Sequence, residues 1–288
     1  MKIAAVVILY HPPQNVISNI ESYYDFVDEI YVFDNSETPS ETVSSFSSLS
    51  KIRYHHDSQN LGIAKRLNAA CELALKKGFH WILTMDQDTC FSGDAINIYF
   101  NCFKQYKEKT NVAMFGTGFK RGDCWSDQVC TPQKAYRLIT SGMLLNLSMH
   151  KKIGGFDELL FIDLVDDEYC IAATKAGYAI IQFKNVCLSH NLGKEVYRSS
   201  IKSLYLLRKK KEIHSPLRCY YMYRNMLYIQ EKYKGTNIKL VKEIRKIVVS
   251  HIKVCMLYGG EGWKIIKYLF AARRDFSSFR MGRIEKEM

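Results

Sequence analysis

The chain has 288 residues, of which 47% are hydrophobic and 24% charged, and these proportions are typical of a globular protein and exclude a disordered one. The net charge of +12 is unevenly distributed, because residues 201–288 carry 21 Lys and Arg against 7 Asp and Glu, which gives +14. Residues 1–200 are therefore close to neutral, at −2. We predict one domain over residues 1–200 and a basic, mostly helical extension over residues 201–288.

The cysteines and the apolar segments indicate in which cellular compartment the protein is expected. The nine cysteines contain no C-x-x-C pair and no zinc-type spacing, which favours free thiols in a reducing cytoplasm. The apolar run at residues 3–9 is followed by Pro12 and Pro13 and lacks a small-residue cleavage site, so it indicates a buried strand and not a signal peptide. No stretch of about 18 apolar residues predicts a membrane-spanning helix.

Strand and helix patterns alternate along the first half of the chain. Apolar runs predict strands, whereas apolar residues spaced by three and four predict the helices between them, the second of which would be capped by Asn60. The predicted strands are residues 3–9, 30–33, 52–55 and 81–86. This β-α-β-α-β order predicts an α/β fold with a mostly parallel sheet.

The second half is less regular. Strands are predicted over 112–119, 138–147 and 179–188, the second of them broken at Ser141 and Gly142. A short helix is predicted to follow Val165 and to stop at Gly177. Beyond residue 200 the pattern is helical, and one basic amphipathic helix has its apolar face at Val241, Ile244, Val248, Ile252 and Cys255.

Polar side chains follow the predicted parallel strands where those strands end. Parallel strands share one carboxyl edge, so we expect a set of polar and aromatic residues to lie on the same side of the sheet: Tyr10, Asp34, Asn35, Asp57, Asp86 and Asp88. Asp86 and Asp88 supply hard oxygen ligands that suit Mg²⁺ or Mn²⁺ bound to a diphosphate. Neither a G-x-G-x-x-G nor a P-loop sequence is present, so phosphate charge is expected to be met by the metal.

A second acidic cluster occurs about eighty residues later, at Asp166, Asp167 and Glu168. Acids in the first turn of a helix are stabilising by about 0.3–1 kcal/mol, which is one explanation for the cluster. The other is a general base that is separate from the metal ligands, because a metal-bound carboxylate is poorly basic. A free Asp has a pKa of about 3.9 and is ionised at neutral pH.

The chain carries an ordered set of motifs at Tyr10, 32–36, 60–64 with Asn68, 86–88, Ser141-Gly142, 154–158, 161–169 and 189–193. Over about residues 2–230 this set resembles the inverting family 2 glycosyltransferases of the GT-A fold, and within them the rhamnosyltransferase-like branch. Gln87 between the two acids and the segment 220–225 favour that branch.

The resemblance implies a role for each matching residue. Tyr10, Asp34 and Asn35 would line the nucleobase and ribose pocket, and the loop and close-approach residues Asn60, Gly62, Asn68, Ser141 and Gly142 would complete the donor site. Asp88 would be the firmer metal ligand, with Asp86 near the ribose or the metal-bound water and His190 as a third contact. Asp166 matches the family base, with Asp167 as the alternative, and Arg224 and Asn225 would face the acceptor or phosphate.

The expected activity is a metal-dependent transfer of L-rhamnose from dTDP-rhamnose to a lipid-linked saccharide in O-antigen or capsule synthesis. Another nucleotide sugar such as a UDP-hexose, nucleotidyl transfer to a sugar phosphate, and a non-catalytic membrane or nucleic-acid binding protein are the alternatives. The resemblance and the basic extension together imply a cytoplasmic protein that lies peripherally on an anionic inner membrane face. Nucleic acid is not expected as a partner, because no motif for it is present.

Overall fold

The computed structural model describes residues 1–39, 46, 48–119, 126–190, 195–199 and 208–285, with the backbone alone at 119, 189–190, 195–199 and 208–211. The chain divides into two compact units. Unit 1 comprises Met1–Glu158 and Val165–Asn191, and unit 2 comprises Leu159–Leu164 and Leu192–Met288.

Unit 1 is built on a mixed sheet of nine strands in the described part of the chain. The strands are β1 (Ile3–Leu9), β2 (Glu29–Asp34), β3 (Ile52–His56), β4 (Trp81–Asp86), β5 (Thr89–Cys90), β6 (Val112–Phe119), β7 (Pro132–Lys134), β8 (Met143–Asn146) and β9 (Ala179–His190). Their order is β3-β2-β1-β4-β8-β6-β9-β5, with β7 paired to β9. The first four strands are mutually parallel, as predicted, whereas β8 runs antiparallel to both of its neighbours.

The helices of unit 1 are α1 (Val16–Tyr24), α2 (Ile63–Lys76), α3 (Ala95–Gln105), α4 (Leu147–Ile153) and α5 (Val165–Lys175). Apolar residues of α2 at helical spacing, among them Leu67, Ala70 and Ala74, are buried. The predicted cap Asn60 lies two residues before the N-cap position, which Gly62 occupies with a φ of 79°. Asn60 instead accepts a hydrogen bond from the Gly62 N–H at 3.1 Å, so it shapes the turn that precedes the helix.

The predicted strand over residues 138–147 is shorter in the structure. Only Met143–Asn146 is extended, and α4 begins directly after it. The Asn146 carboxamide oxygen accepts hydrogen bonds from the backbone N–H groups of Ser148 and Met149, which caps the helix and ends the strand. The apolar Leu147 was therefore assigned to the wrong element, because the period of a short apolar run does not separate a strand from the first turn of a helix.

Unit 2 contains a hairpin as well as helices. Strands β10 (Glu195–Ser199) and β11 (Arg208–Glu212) pair antiparallel, and they precede α6 (Pro216–Lys232), α7 (Lys239–Tyr258) and α8 (Gly262–Ser277). The hairpin was not predicted, since β11 contains four consecutive basic residues and has no apolar alternation. None of the described helices is both long enough and apolar enough to cross a bilayer.

The expectation that every cysteine is a free thiol is wrong for Cys102 and Cys130. These two residues form a disulfide with a Cα–Cα distance of 5.4 Å, and Cys187 is also disulfide-bonded. Cys102 lies on α3, and Cys130 lies in the segment that leads to β7. The chain folds back to bring them together over 28 positions, and sequence spacing alone does not reveal such a pairing.

Candidate active site

Three neighbouring strands deliver their ends to one edge of the unit 1 sheet. In the parallel register, Leu9 of β1 lies opposite Asp34 of β2, and Ile8 lies opposite Asp86 of β4. The carboxylates of Asp34 and Asp86 are therefore brought to the same edge although they are 52 positions apart in sequence. The predicted convergence of these strand ends follows from this register.

Tyr10 leaves β1 at this edge with its position fixed through the backbone. Its N–H donates to the Gln87 carboxamide oxygen at 2.9 Å, and the Gln87 carboxamide nitrogen donates to the Tyr10 carbonyl at 3.1 Å. Asn19 of α1 in turn donates to the Gln87 carbonyl at 2.9 Å. The Tyr10 residue remains 45% exposed, which leaves an aromatic face available for stacking.

Asp34 and Asn35 are both buried at the end of β2, and each is fully engaged. Asp34 accepts hydrogen bonds from the Ser36 N–H at 2.9 Å and from the Tyr54 hydroxyl at 2.8 Å. Burial, together with this hydrogen bond to a carboxylate, raises the pKa of Tyr54. The Tyr54 hydroxyl thus stays protonated and orients Asp34.

Asn35 is tied to Arg66 and to the loop that precedes α2. Its carboxamide oxygen accepts from the Arg66 Nε at 2.8 Å and from the Leu61 N–H at 3.3 Å, and its nitrogen donates to the Gly62 carbonyl at 3.3 Å. Arg66 also forms a two-pronged contact with Asp57, with N–O distances of 2.6 and 3.0 Å, which lowers the pKa of Asp57. This network holds the loop carrying Asn60 and Gly62 against the end of β2.

Asn68 of α2 is hydrogen-bonded to the turn at 154–158. Its oxygen accepts from the Phe156 N–H at 2.8 Å, and its nitrogen donates to the Phe156 carbonyl and to Glu158, both at 2.9 Å. Gly155 has a φ of 82°, and a Cβ atom at this position would lie 2.9 Å from the Asn68 oxygen. The described contacts of Asn68 therefore fix the turn at 154–158.

Ser141 and Gly142 lie beside the end of β4. The Asp86 N–H donates to the Ser141 hydroxyl at 3.3 Å, and the Gly142 N–H donates to the Thr84 carbonyl at 2.9 Å. Gly142 has a φ of 75°, and a Cβ atom there would meet the Leu188 side chain at 2.4 Å. Only glycine fits this position, so the bend that brings Ser141 to Asp86 depends on it.

The candidate metal ligands are Asp86 and Asp88, which flank Gln87 directly after β4. Mg²⁺ and Mn²⁺ take one or two protein carboxylates and complete their shell with phosphate and water, so this donor set fits such an ion. Within the described ranges, no three His, Cys, Asp or Glu side chains form a metal-binding cluster. The backbone of His190 pairs with Thr89, the residue after Asp88, but its side chain lies outside the described part of the structure.

Asp166 and Asp167, the first acids of α5, have sharply different surroundings. Asp167 is 1% exposed and accepts two hydrogen bonds from the Arg137 guanidinium at 2.5 and 3.0 Å. Asp166 is half-buried, and its carboxylate accepts the Asp167 N–H at 2.9 Å. Burial and the negative charges of Asp167 and Asp86 raise the pKa of Asp166 to about 7, while Arg137 opposes the shift.

Arg224 and Asn225, predicted to face the acceptor, are both completely buried in unit 2. Asn225 donates to the carbonyls of Ile162 and Asp163 at 2.8 and 2.9 Å, and its oxygen accepts from Arg224. The Arg224 guanidinium lies 5.1–5.2 Å from the ring centroids of Tyr220 and Tyr221. The described contacts of Arg224 and Asn225 therefore connect α6 with the segment Leu159–Leu164 inside unit 2.

Three residues of the unit 1 site were not predicted from the sequence. The sequence indicates Gln87 as a family feature but does not predict its hydrogen bonds to the Tyr10 backbone. Arg66 and Arg137 were not predicted. The partners of Gln87 and Arg137 are 77 and 30 positions distant in sequence, so no local pattern indicates them. Arg66 is the exception, since a buried arginine position on the inner stripe of α2 is a detectable signal.

Solved structures resemble this fold. The chain superposes on S. aureus TarS 1-349 in complex with UDP-GlcNAc with a TM-score of 0.58 and 15% identity, covering 96% of this chain and 80% of that one. For GalNAc-T7 with UDP, GalNAc and Mn²⁺ the TM-score is 0.55 at 10% identity, covering 86% and 54%. The chain spans 44% of a longer TarS structure. The fold is thus that of the GT-A glycosyltransferases.

Sequence comparison agrees with the fold. Residues 5–134 match the model of glycosyl transferase family 2. The chain is 26% identical over 282 residues to dTDP-rhamnosyl transferase RfbF of Shigella flexneri, covering 91% of this chain and 90% of that protein. The family 2 match over residues 5–134 and the likeness to this relative together support a glycosyltransferase.

Proposed function

We propose that this protein is a metal-dependent inverting glycosyltransferase that moves L-rhamnose from dTDP-rhamnose to a lipid-linked saccharide, with Asp166 as the general base. With such an acceptor, the protein would act in the assembly of a surface polysaccharide such as O-antigen or capsule. The likeness to the Shigella rhamnosyl transferase over nearly the full length supports this donor. A UDP-hexose is the alternative donor.

The observation that carries the proposal is the contrast between the two adjacent acids of α5. Asp167 is buried and its charge is compensated by Arg137, so it is poorly suited to collect a proton. Asp166 is partly accessible, and its pKa of about 7 matches what a general base needs near neutral pH. The electrostatic effect of Asp86 on Asp166 supports a base close to the strand edge that carries the candidate metal ligands.

The reaction is a single displacement. The acceptor hydroxyl oxygen attacks the anomeric carbon as the bond from that carbon to the diphosphate oxygen breaks, and Asp166 takes the hydroxyl proton. Attack opposite to the departing diphosphate inverts the configuration at the anomeric carbon. Nucleoside diphosphate and the extended saccharide are the products.

The remaining residues bind and orient the donor in this proposal. Tyr10 offers its exposed ring to the nucleobase, whereas Asp34 and Asn35 hold the ribose side of the pocket through the networks of Tyr54 and Arg66. Asp86 and Asp88 would hold Mg²⁺ or Mn²⁺, with His190 as a further contact. When bound, the ion neutralises charge on the departing diphosphate.

The location proposed is the cytoplasmic face of the membrane, where a lipid-linked acceptor would be presented. The basic residues of 201–288 support this, because each Lys or Arg close to an anionic surface contributes about 1 kcal/mol.

The test is a donor panel assayed with the full-length protein. We expect release of free nucleoside diphosphate with dTDP-rhamnose and Mn²⁺ in the presence of a lipid-linked saccharide, and less release with UDP-GlcNAc or other UDP-hexoses. Asp166→Asn should lower the transfer rate by about 10²–10⁴-fold. Asp88→Ala should raise the Mn²⁺ concentration needed for half-maximal rate.

Asp167→Asn is the matched control, since it makes the same chemical change one residue away. It should retain most of the transfer activity. Wild-type activity in Asp166→Asn, or a metal requirement unchanged in Asp88→Ala, would contradict the assigned roles.

A further inference from the structure

The apolar stripe of α7, whose amphipathic pattern suits either packing on its own domain or contact with an anionic membrane, is already occupied. Leu240, Ile244, Val248 and Cys255 are completely buried, and the stripe therefore packs within unit 2. The basic residues of α7 remain on its outer side, where Leu257 in the last turn is the large apolar side chain that α7 exposes. A membrane contact by unit 2 requires another surface.

The outer face of α8 has the composition that α7 lacks. Trp263 is 80% exposed and Phe270 is 73% exposed, and both lie on the same side of the helix, because seven residues correspond to two turns. Lys267 and Arg274 lie between and beyond them on that side, at i+4 and i+11 from Trp263. The opposite side of α8 is buried through Ile265, Tyr268, Ala271, Ala272 and Asp275.

The turn that leads into α8 adds further exposed apolar groups to unit 2. Leu257, in the last turn of α7, is 75% exposed. A shallow depression at the turn is lined by Met256, Gly260, Glu261, Gly262, Trp263, Lys264 and Ile266, and the charges of Glu261 and Lys264 are paired at 2.7 Å. Large aromatic side chains exposed together on one helix face are a feature of interaction sites. We call Trp263, Lys267, Phe270 and Arg274 the α8 outer face, and Leu257 precedes it in the chain.

We propose that the α8 outer face docks on the surface of an anionic lipid bilayer. Tryptophan and phenylalanine side chains partition to the boundary between headgroups and acyl chains, and lysine and arginine in the same helix contact anionic headgroups. Trp263, Lys267, Phe270 and Arg274 alternate these two side-chain types along one side of α8, so both types are engaged when the helix lies flat on the bilayer. The inference rests on the proposed function in that a bilayer would present the lipid-linked acceptor.

Charge and shape favour lipid over the other possible occupants. A second copy of the chain would bring a basic surface against a basic surface, since residues 201–288 carry a net charge of +14. A nucleic acid would use the aromatic rings for stacking but would gain little from Leu257 and Ile266. An anionic bilayer complements the charges and also accepts the aliphatic side chains.

The experiment is sedimentation of the full-length protein with vesicles. Vesicles of phosphatidylcholine with about one third phosphatidylglycerol should bind the wild type, and pure phosphatidylcholine should bind it weakly. The double variant Trp263→Ser with Phe270→Ser should lower partitioning by about tenfold or more. Val129→Ser, which removes a side chain 68% exposed in unit 1, is the matched control and should bind as the wild type does.

A second readout locates the contact. The chain has three tryptophans, so Trp125→Phe is the parent protein for this measurement. Brominated lipids should quench part of its tryptophan emission, and this quenching should be lost when Trp263→Phe is added, because Trp81 is only 4% exposed. Equal pelleting of the double variant and the wild type would overturn the proposal. The proposal would also be overturned if the wild type bound a single-stranded oligonucleotide, or formed a dimer in solution, and the double variant lost that binding or that dimer without any change in vesicle binding.

The two proposals fail separately. The double variant should retain wild-type transfer to an acceptor dispersed in detergent, because the α8 outer face contains none of the proposed catalytic residues. Unchanged vesicle binding together with normal catalysis would remove the docking surface alone. Loss of vesicle binding in the double variant, together with full activity of Asp166→Asn, would remove the catalytic assignment alone.

Discussion

Two adjacent aspartates on α5 illustrate how environment, and not residue type, assigns a chemical role. Asp167 points into the interior against Arg137, while Asp166 keeps part of its surface accessible. A carboxylate that is buried beside other negative charges binds its proton more tightly, and the ion pair has the opposite effect. Burial and the neighbouring negative charges therefore raise the pKa of Asp166 to about 7, and the consequences can be tested.

The first prediction concerns the pH dependence of transfer. A base must be deprotonated to act, so the rate should rise with pH through about 7. Asp167→Asn should shift this rise to lower pH, because it removes a negative charge and leaves Arg137 facing Asp166. Initial rates measured from pH 5 to 9 would show it, and a shift to higher pH would contradict the described electrostatics.

The second prediction concerns stability. Folding raises the pKa of Asp166 from 3.8 to about 7. The contribution of Asp166 to the free energy of unfolding is therefore fully present below pH 3.8 and is lost as the pH rises through about 7. Asp166→Asn removes this loss, and above pH 7 it should raise the Tm by about 2–4 °C, equivalent to about 1 kcal/mol. Thermal unfolding of both proteins at pH 5 and pH 8 tests this, since the gain should be present at pH 8 and small at pH 5.

At the scale of elements, the segment Leu159–Leu164 depends on α6. Asp163 and Leu164 both have a φ of 64°, a conformation that costs about 1–2 kcal/mol for a residue with a side chain. Asn225 donates to two carbonyls of this segment, and Arg218 contacts the Asp163 carboxylate at 2.6 Å. The left-handed residues are therefore supported by side chains that follow them by more than fifty positions.

The third prediction is that Asn225→Asp destabilises the protein. The substitution keeps the shape but replaces a donor with a buried carboxylate facing two carbonyl oxygens, which should cost about 2–3 kcal/mol. Urea unfolding measures the loss. Asn237→Asp, an exposed site in the same unit, is the control and should change stability by less than about 0.5 kcal/mol. Equal effects of the two changes would argue against the described hydrogen bonds.

The fourth prediction concerns the link between α3 and the segment before β7. The Cys102–Cys130 disulfide closes a loop of 28 positions, for which constraint of the unfolded chain contributes about 3.6 kcal/mol. Oxidised protein carrying Ser at both positions should unfold at a lower urea concentration than the oxidised wild type. Cys71→Ser, a free and buried thiol on α2, is the comparison for loss of a sulfur without loss of a bond. Mass spectrometry of non-reduced peptides identifies the bond directly.

At the scale of the whole molecule, the sequence predicted what depends on local pattern. Each early strand is an apolar run that ends in a polar residue, so the convergence of Asp34 and Asp86 followed from parallel pairing. The strand β11 and the pair of Arg137 with Asp167 could not be predicted. The first has no apolar period, and the second joins residues thirty positions apart whose contact arises only from tertiary folding.

Unit 2 is formed by two separate segments of the chain, and this limits how unit 2 can be replaced by the corresponding unit of a related protein. Residues 159–164 lie within the sequence of unit 1, yet their carbonyls are bonded by Asn225 and the Leu159 carbonyl accepts from the Gly282 N–H. A chimera that grafts the C-terminal third of a relative at residue 192 would place a foreign α6 against a resident hexapeptide. A chimera that exchanges unit 2 between such enzymes would then have to exchange residues 159–164 together with the C-terminal segment. These six residues precede the proposed base, Asp166, by only a few positions.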